Sequence, residues 1–373
     1  MSNVNNLKEG TIVAMGNPLL DNSARVDDAF LKKWGLHANQ ATLADQEKQL
    51  ALLKDMKDRF GEIKYIPGGA VQNSCRVTQW FLGKPNVSVF LGCVGDDEDG
   101  KKMAKIAKDA GVKTLYEVTN KDTTGTCAVC ITGLDRWVCL NIVFELKTNF
   151  KWFISNRSLC TYLGAAQLFS QQHLENNWKY VEEASLFYVS GFFLSSSPES
   201  ARLVAGHAAS YPAKTFTFNT SATFILGHET GKHVLKLLPQ TDILFGNNDE
   251  AEALAKLLGL KELDVREIAV KVCGHLNQSK ECLVVMTQGP DKVITATAKG
   301  GGPVEVKEFP VTKLEQTEIA DSNGAGDAFV GGFLAQFIQK RDLATCVKSG
   351  VYAATEVLKN SGCTFPKENH FIP

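Results

Sequence analysis

Asp327 stands directly behind Gly324-Ala325-Gly326, in the run Ala-Asp-Ser-Asn-Gly-Ala-Gly-Asp-Ala-Phe-Val-Gly-Gly-Phe from 320 to 333. A glycine turn of this kind opens a helix and exposes successive backbone N–H groups at its positive end, which suits a phosphate in flight. Phosphate binding alone does not call for the acid, because a carboxylate repels phosphate oxygens. A site that takes a proton from an attacking hydroxyl does need one within hydrogen-bond reach. The pattern therefore predicts a base, Asp327, beside an anion hole made by the N–H groups of Gly324, Ala325 and Gly326. The same glycines, with Gly331 and Gly332, also suit a plain strand-to-helix turn with close helix packing. Gly-x-Gly-x-x-Phe half resembles a dinucleotide fingerprint, yet it lacks the third glycine and an acid about 20 residues on.

Such a turn needs a sheet behind it. Thr11 to Met15 reads as a short apolar strand ending in Gly16-Asn17-Pro18, which leaves Asp21 near a strand end, where α/β proteins hold ligands. Residues 45 to 60 carry Leu50, Leu53, Met56 and Phe60 at helical spacing; Ile66 to Gly69 reads as a turn, and Val71 to Leu82 as the helix it opens. Downstream the text alternates. Strands are expected at 87–90, 187–189, 216–218, 243–245 and 283–287, and helices at 99–110, 198–210, 248–258, 265–275, 324–340 and 342–359. That rhythm predicts a mainly parallel sheet covered on both faces. From Lys113 to about Gly164 it breaks into Thr-, Val- and aromatic-rich text, which reads as antiparallel strands of a small lid joined by strand pieces from 22 to 44.

At 373 residues, one large domain with a smaller appendage is the natural expectation. Apolar content of 44%, charged content of 22% and a net charge of -1 give no electrostatic case for nucleic acid or an anionic membrane. The N-terminus has no apolar run of signal-peptide type, so a cytoplasmic protein is expected, with a nuclear pool allowed. Ten scattered cysteines fit reduced, buried thiols better than a disulfide framework, and Cys127-Ala-Val-Cys130, the one close pair, reads as strand rather than metal site.

Asp-Ser-Asn-Gly-Ala-Gly-Asp at 321–327 resembles the C-terminal signature of the ribokinase superfamily, and Gly68-Gly-Ala-Val-Gln-Asn73 its N-terminal Gly-Gly signature. More narrowly, Met15-Gly-Asn-Pro-Leu-Leu-Asp21, Thr124-Gly-Thr126, Ser190-Gly-Phe-Phe193, Phe245-Gly-Asn247 with Glu250, Thr287-Gln-Gly289 and Gly362-Cys-Thr-Phe-Pro366 are similar to the adenosine kinases within it. The resemblance implies a ribokinase-like three-layer α/β/α sandwich with a small β-sheet lid. The large domain would take residues 1–21, 62–112 and 166–373, and the lid 22–61 and 113–165. It also implies transfer of the γ-phosphate of ATP to the 5'-hydroxyl of adenosine with Mg2+, in a monomer; another nucleoside or sugar kinase of the superfamily, or an impaired adenosine-binding homologue, is the alternative.

Residue by residue, the resemblance makes Asp21 the ribose carboxylate, with Asn17, Gly68, Gly69, Asn73 and Asn323 on the same face. Phe192 is the aromatic on adenine, with Leu19, Leu43, Cys130, Leu159 and Leu163 as apolar walls. Thr287, Gly289 and Asn323 are expected on the nucleotide side, and Asn247 and Glu250, capping residues on the bare sequence, near magnesium and its waters. Arg157 is the lid arginine, with Arg136 as its competitor.

One stretch departs from the pattern. Where the family has a tight hairpin turn, residues 134–155 intervene with an apolar load that includes Trp137, Phe144, Phe150, Trp152 and Phe153. Three readings are open: an extended lid sheet, a partner surface, or non-native coding sequence such as a translated intron. An insert that slows lid closure predicts that deleting residues 134–155 raises turnover; unchanged turnover and melting temperature would refute it.

Overall fold

The computed structural model describes residues 3–37, 41–132, 156–261 and 264–373. Two sheets organise it. The strands, in chain order, are β1 (Ile12–Met15), β2 (Leu19–Arg25), β3 (Ala41–Leu43), β4 (Lys64–Gly68), β5 (Ser88–Gly95), β6 (Lys113–Thr119), β7 (Thr126–Thr132), β8 (Asn156–Tyr162), β9 (Leu186–Ser190), β10 (Thr215–Asn219), β11 (Ile243–Asn247), β12 (Glu281–Thr287), β13 (Val293–Lys299) and β14 (Glu305–Phe309).

Nine strands form the large sheet in the order β14-β13-β12-β11-β10-β9-β1-β5-β6. From β6 to β12 every pairing is parallel, and β13 and β14 close one edge antiparallel. The central strands are apolar on both faces, because helices cover both. Side chains alternate along each strand and so sort into two cores. Val13, Met15, Leu91, Phe187 and Phe216 pack on one side with the helices Pro198–Ala209, His228–Leu237 and Val265–Cys273. Ile12, Ala14, Phe90, Tyr188 and Phe245 pack on the other with Ala70–Leu82, Ala325–Phe337 and Leu343–Leu358. The three layers expected from the alternating text are present.

The small sheet has the order β3-β8-β7-β2-β4, with β7 antiparallel to β8 and parallel to β2. Its back is sealed by Ala24, Ala128, Cys130 and Cys160 against Phe30, Leu52 and Met56 of the helices Asp28–Trp34 and Gln46–Phe60. Here the expected boundaries shift. Residues 113–119 were assigned to the lid, but β6 pairs in parallel with β5 at the edge of the large sheet. The sequence reading puts 62–112 in the large domain with a turn at Ile66 to Gly69, whereas Lys64–Gly68 is strand β4, paired antiparallel with β2 in the small sheet. The residues around 28–34 are helical rather than extended, capped by the Asp27 side chain accepting from Phe30 N and ended by Gly35 in the left-handed region. The pair β13–β14 was missed, since an edge hairpin breaks the strand-helix rhythm used to find the others. The 134–155 stretch lies outside the described residues.

Helices Ala70–Leu82 and Ala325–Phe337 carry the two signatures, and their contact is unusually close. A Cβ on Gly331 would lie 2.6 Å from Ser74 O and 2.7 Å from Val77 Cβ. The Thr78 hydroxyl donates to Gly331 O at 3.0 Å, and the Ser74 hydroxyl to Asp327 O at 2.9 Å. Gly331→Ala should push the helices apart and cost about 1–3 kcal/mol in urea unfolding, in the range of core overpacking.

Candidate active site

The large sheet delivers its chemistry at the carboxyl ends of its parallel strands. There β1 ends before Asn17, β9 at Ser190 and β10 before Ser221, and the helices beginning at Ala70 and Ala325 aim their N-termini at the same place. The small sheet faces this edge with Asp21 on β2, Cys127 on β7 and Leu159 and Thr161 on β8. Between them lies a cavity of about 300 Å³.

Most of the residues singled out from sequence meet here. Asn17, Leu19, Asp21, Leu43, Gly69, Asn73, Leu159, Leu163, Phe192, Asn323, Gly324, Gly326 and Asp327 all line the cavity. Gly69, with φ +88°, approaches so closely that a Cβ would lie 2.4 Å from Asn17 O. Gly68 works from behind: a Cβ there would fall 2.2 Å from Asp21 Oδ1. Ala325 does not border the space; it follows Gly324, the left-handed N-cap of the helix Ala325–Phe337, which carries Asp327 in its first turn.

Cys130 is a correction. It is buried at the back of the small sheet, and Cys127 lines the cavity instead. Three residues along a strand is an odd step, so the two side chains point to opposite faces. The Cys127 sulfur accepts from the Thr161 hydroxyl at 3.2 Å, and burial holds its thiol far above the usual range. Phe224 was also missed. Its ring sits 6.0 Å from that of Phe192, tilted by 44°, and it is 46% exposed. It lies on the short 3-10 turn Thr223–Leu226 just past the end of β10, which leaves no periodic signal in the sequence. Ser190, Ser195 and Ser221 add hydroxyls to the same wall.

At the base of the cavity the Asn73 amide donates to Asp327 Oδ2 at 3.0 Å. Burial pushes the Asp327 carboxyl up to about 7; the Asn73 hydrogen bond opposes that rise and the Glu250 charge adds to it. Asn323 donates to Asp21 Oδ2 at 3.5 Å, linking the glycine turn of one sheet to the carboxylate of the other. The Asn17 amide donates to Phe192 O at 3.1 Å while its buried Oδ1 has no partner among the described residues.

Asn247, Glu250, Thr287 and Gly289 stand outside this cavity. Asn247 and Glu250 form a reciprocal capping box at the start of the helix Asn248–Leu257. Glu250 also accepts from the Thr220 hydroxyl at 2.6 Å, and burial raises its carboxyl. Thr287 ends β12 beside Asn247 of β11. Arg157 pairs with Ile131 across β7 and β8, but its side chain, like all of Arg136, lies outside the described residues.

The pfkB carbohydrate kinase family profile matches residues 33–141 and 139–370. The chain belongs to the pfkB family of carbohydrate kinases. Its two matched segments meet inside the 134–155 stretch. Adenosine kinase 2 of Arabidopsis thaliana is 40% identical over 97% of this chain and 98% of its own, and the adenosine kinase of Saccharomyces cerevisiae 34% identical over 96% and 97%. Among solved structures, Anopheles gambiae adenosine kinase in complex with P1,P4-di(adenosine-5) tetraphosphate superposes with a TM-score of 0.86 at 40% identity, covering 98% of this chain and all of that one. The fold is the ribokinase-like α/β sandwich of that family, with its second, smaller sheet.

The Asp327 carboxyl is raised in the folded chain above its unfolded value near 3.8, so the fold favours its protonated form. The resulting destabilisation is absent at low pH and grows as pH rises between those two values. Asp327→Asn should therefore raise the melting temperature more at pH 8 than at pH 5. Equal shifts at both would show that Asp327 is not strained by its surroundings.

Proposed function

We propose that the protein phosphorylates the 5'-hydroxyl of adenosine with ATP, giving AMP and ADP. The observation that carries this reading is the convergence on one cavity of two carboxylates with different settings: Asp21 on the small sheet beside Asn17 and Asn323, and Asp327 at the glycine turn of the large one. The adenosine kinase relatives, matched over nearly the whole chain, supply the substrate class.

Each group then has a task. The Asp21 carboxylate accepts from the ribose 2'- and 3'-hydroxyls, and a deoxy sugar leaves its lone pairs unmatched. Phe192 and Phe224 hold the adenine, with Leu19, Leu43, Leu159 and Leu163 around it. Asp327, whose carboxyl titrates near neutrality, takes the proton of the 5'-hydroxyl as that oxygen attacks the γ-phosphorus. The P–O bond to the β-phosphate breaks in line with the attack and ADP leaves. Backbone N–H groups of Gly324 and Gly326 face the charge that spreads over the transferred phosphoryl, whereas the Ala325 N–H donates to Ser322 O at 3.4 Å and is already engaged. No covalent enzyme intermediate is needed.

Among the described residues no three His, Cys, Asp or Glu side chains gather as a metal cage. That fits magnesium, which is commonly carried by the nucleotide's phosphates with waters and one or two carboxylates. Glu250, with Asn247 beside it, is the carboxylate available; its oxygens are already engaged by Thr220 and Asn247, which favours contact through water. When bound, Mg2+ neutralises charge on the β- and γ-phosphates. Thr287 and Gly289 fall on the nucleotide side and Arg157 on the lid. We take the molecule to act as a cytoplasmic monomer; no helix among the described residues is long and apolar enough to cross a membrane.

The test is Asp327→Asn, with AMP formation followed under saturating ATP and magnesium. Turnover should fall by roughly a thousandfold, within the general-base range, while adenosine affinity by calorimetry changes little. Near-parental turnover would remove Asp327 as the base.

A further inference from the structure

Arg76 lies one helical turn behind Asn73 and is buried, 8% exposed. Its Nη1 donates to Asn73 Oδ1 at 3.4 Å and to Cys363 O at 3.2 Å, and its guanidinium lies 5.5 Å from the Phe365 ring centre. An amide side chain has one accepting and one donating end. With Oδ1 turned to a cation that can only donate, the NH2 of Asn73 must face the other way, where Asp327 Oδ2 accepts it. The second Arg76 contact reaches the 361–365 loop, against which the glycine turn is packed: a Cβ on Gly324 would meet Cys363 Cβ at 2.6 Å, and Asp321 accepts from Gly362 N and from Asn323 N. One side chain thus touches both supports of the reacting site.

We propose that Arg76 is a positioning residue for phosphoryl transfer, locking the Asn73 amide so that it donates to the Asp327 carboxylate and bracing the glycine turn through Cys363. This rests on Asp327 acting as the base. Arg76 reaches no substrate itself; its effect passes through the Asn73 hydrogen bond. In water-poor surroundings that bond favours the carboxylate form, so losing it must make the base harder to ionise. The other titratable groups acting on the Asp327 region are Glu250 from the helix Asn248–Leu257, Tyr188 from β9 and Cys363 from the 361–365 loop. None of them replaces the amide, since Glu250 opposes ionisation and the buried phenol and thiol titrate far above neutrality.

The experiment compares pH profiles of turnover for the parent, Arg76→Met, Arg76→Gln and Asp327→Asn, all on the full chain with saturating adenosine, ATP and magnesium. Arg76→Met removes both donors at similar volume. Its acid limb should move to higher pH by at least about half a unit, roughly a threefold loss at pH 6 beyond any uniform drop. Arg76→Gln keeps a donor without the charge and should return the limb toward the parent's, which a purely electrostatic role of Arg76 would not produce. A uniform fall in turnover with an unmoved limb in both variants overturns the proposal. Should Arg76→Met fail to fold, Arg76→Gln decides: a limb displaced as far as loss of the cation alone predicts, on a melting curve like the parent's, also overturns it. Failure of the base reading is distinct, because it would appear as an active Asp327→Asn protein.

Discussion

The setting of the Asp327 carboxylate, the base of the proposed mechanism, depends on one hydrogen bond, from the Asn73 amide to Asp327 Oδ2. Burial drives this acid toward its neutral form, which cannot accept a proton, while full exposure would leave it a weak base at neutral pH. The observed setting lies between those limits. It exists only because two helix N-termini are brought to within one side chain of each other, and that approach depends on Gly331 leaving room for Ser74 and Val77. The sheet beneath, the helix pair and the 361–365 loop all bear on that single contact. The proposed mechanism uses geometry that the fold must strain to maintain, as functional sites commonly do.

Much of this was legible in the sequence because the informative residues are local. The Gly-Ala-Gly-Asp run marks a turn, a helix start and an acid within four residues, and the structure puts them at the cavity as read. The alternation of apolar strands with amphipathic helices was enough to give the layered sheet, because parallel strands covered on both faces are continuously apolar. What failed had a common cause, namely dependence on partners far away in the chain. Nothing local says that residues 113–119 pair with β5, or that Lys64–Gly68 pairs with β2. Cys130 was placed on the wrong face because its register against β2 and β8 is a tertiary fact. Phe224 escaped because a 3-10 turn offers no periodicity to recognise.

The capping box at Asn247 and Glu250 shows how one pair can satisfy two readings. As caps they hold the start of a helix; the buried Glu250 also places a carboxylate close enough to influence Asp327. Sequence spacing alone could not separate these roles, since both need the same residues three apart. The hydrogen bond from Thr220 sets Glu250 apart from an ordinary surface cap, which has no need of a buried hydroxyl from the end of a neighbouring strand.

The two sheets share the cavity between them. Asp21, Leu19, Leu43 and Leu159 belong to the five-stranded sheet, whereas Asp327 and its glycine turn, with Phe192 and Phe224 just past β9 and β10, belong to the side of the nine-stranded one, and the chain passes from β1 to β2 through only Gly16, Asn17 and Pro18. One carboxylate and part of the apolar wall are thereby carried on a framework separate from the one that carries the proposed base. Evolution, or a protein engineer, can redraw the smaller framework to admit a different alcohol while leaving the reactive machinery untouched, a freedom that would help one architecture spread across many chemically related substrates.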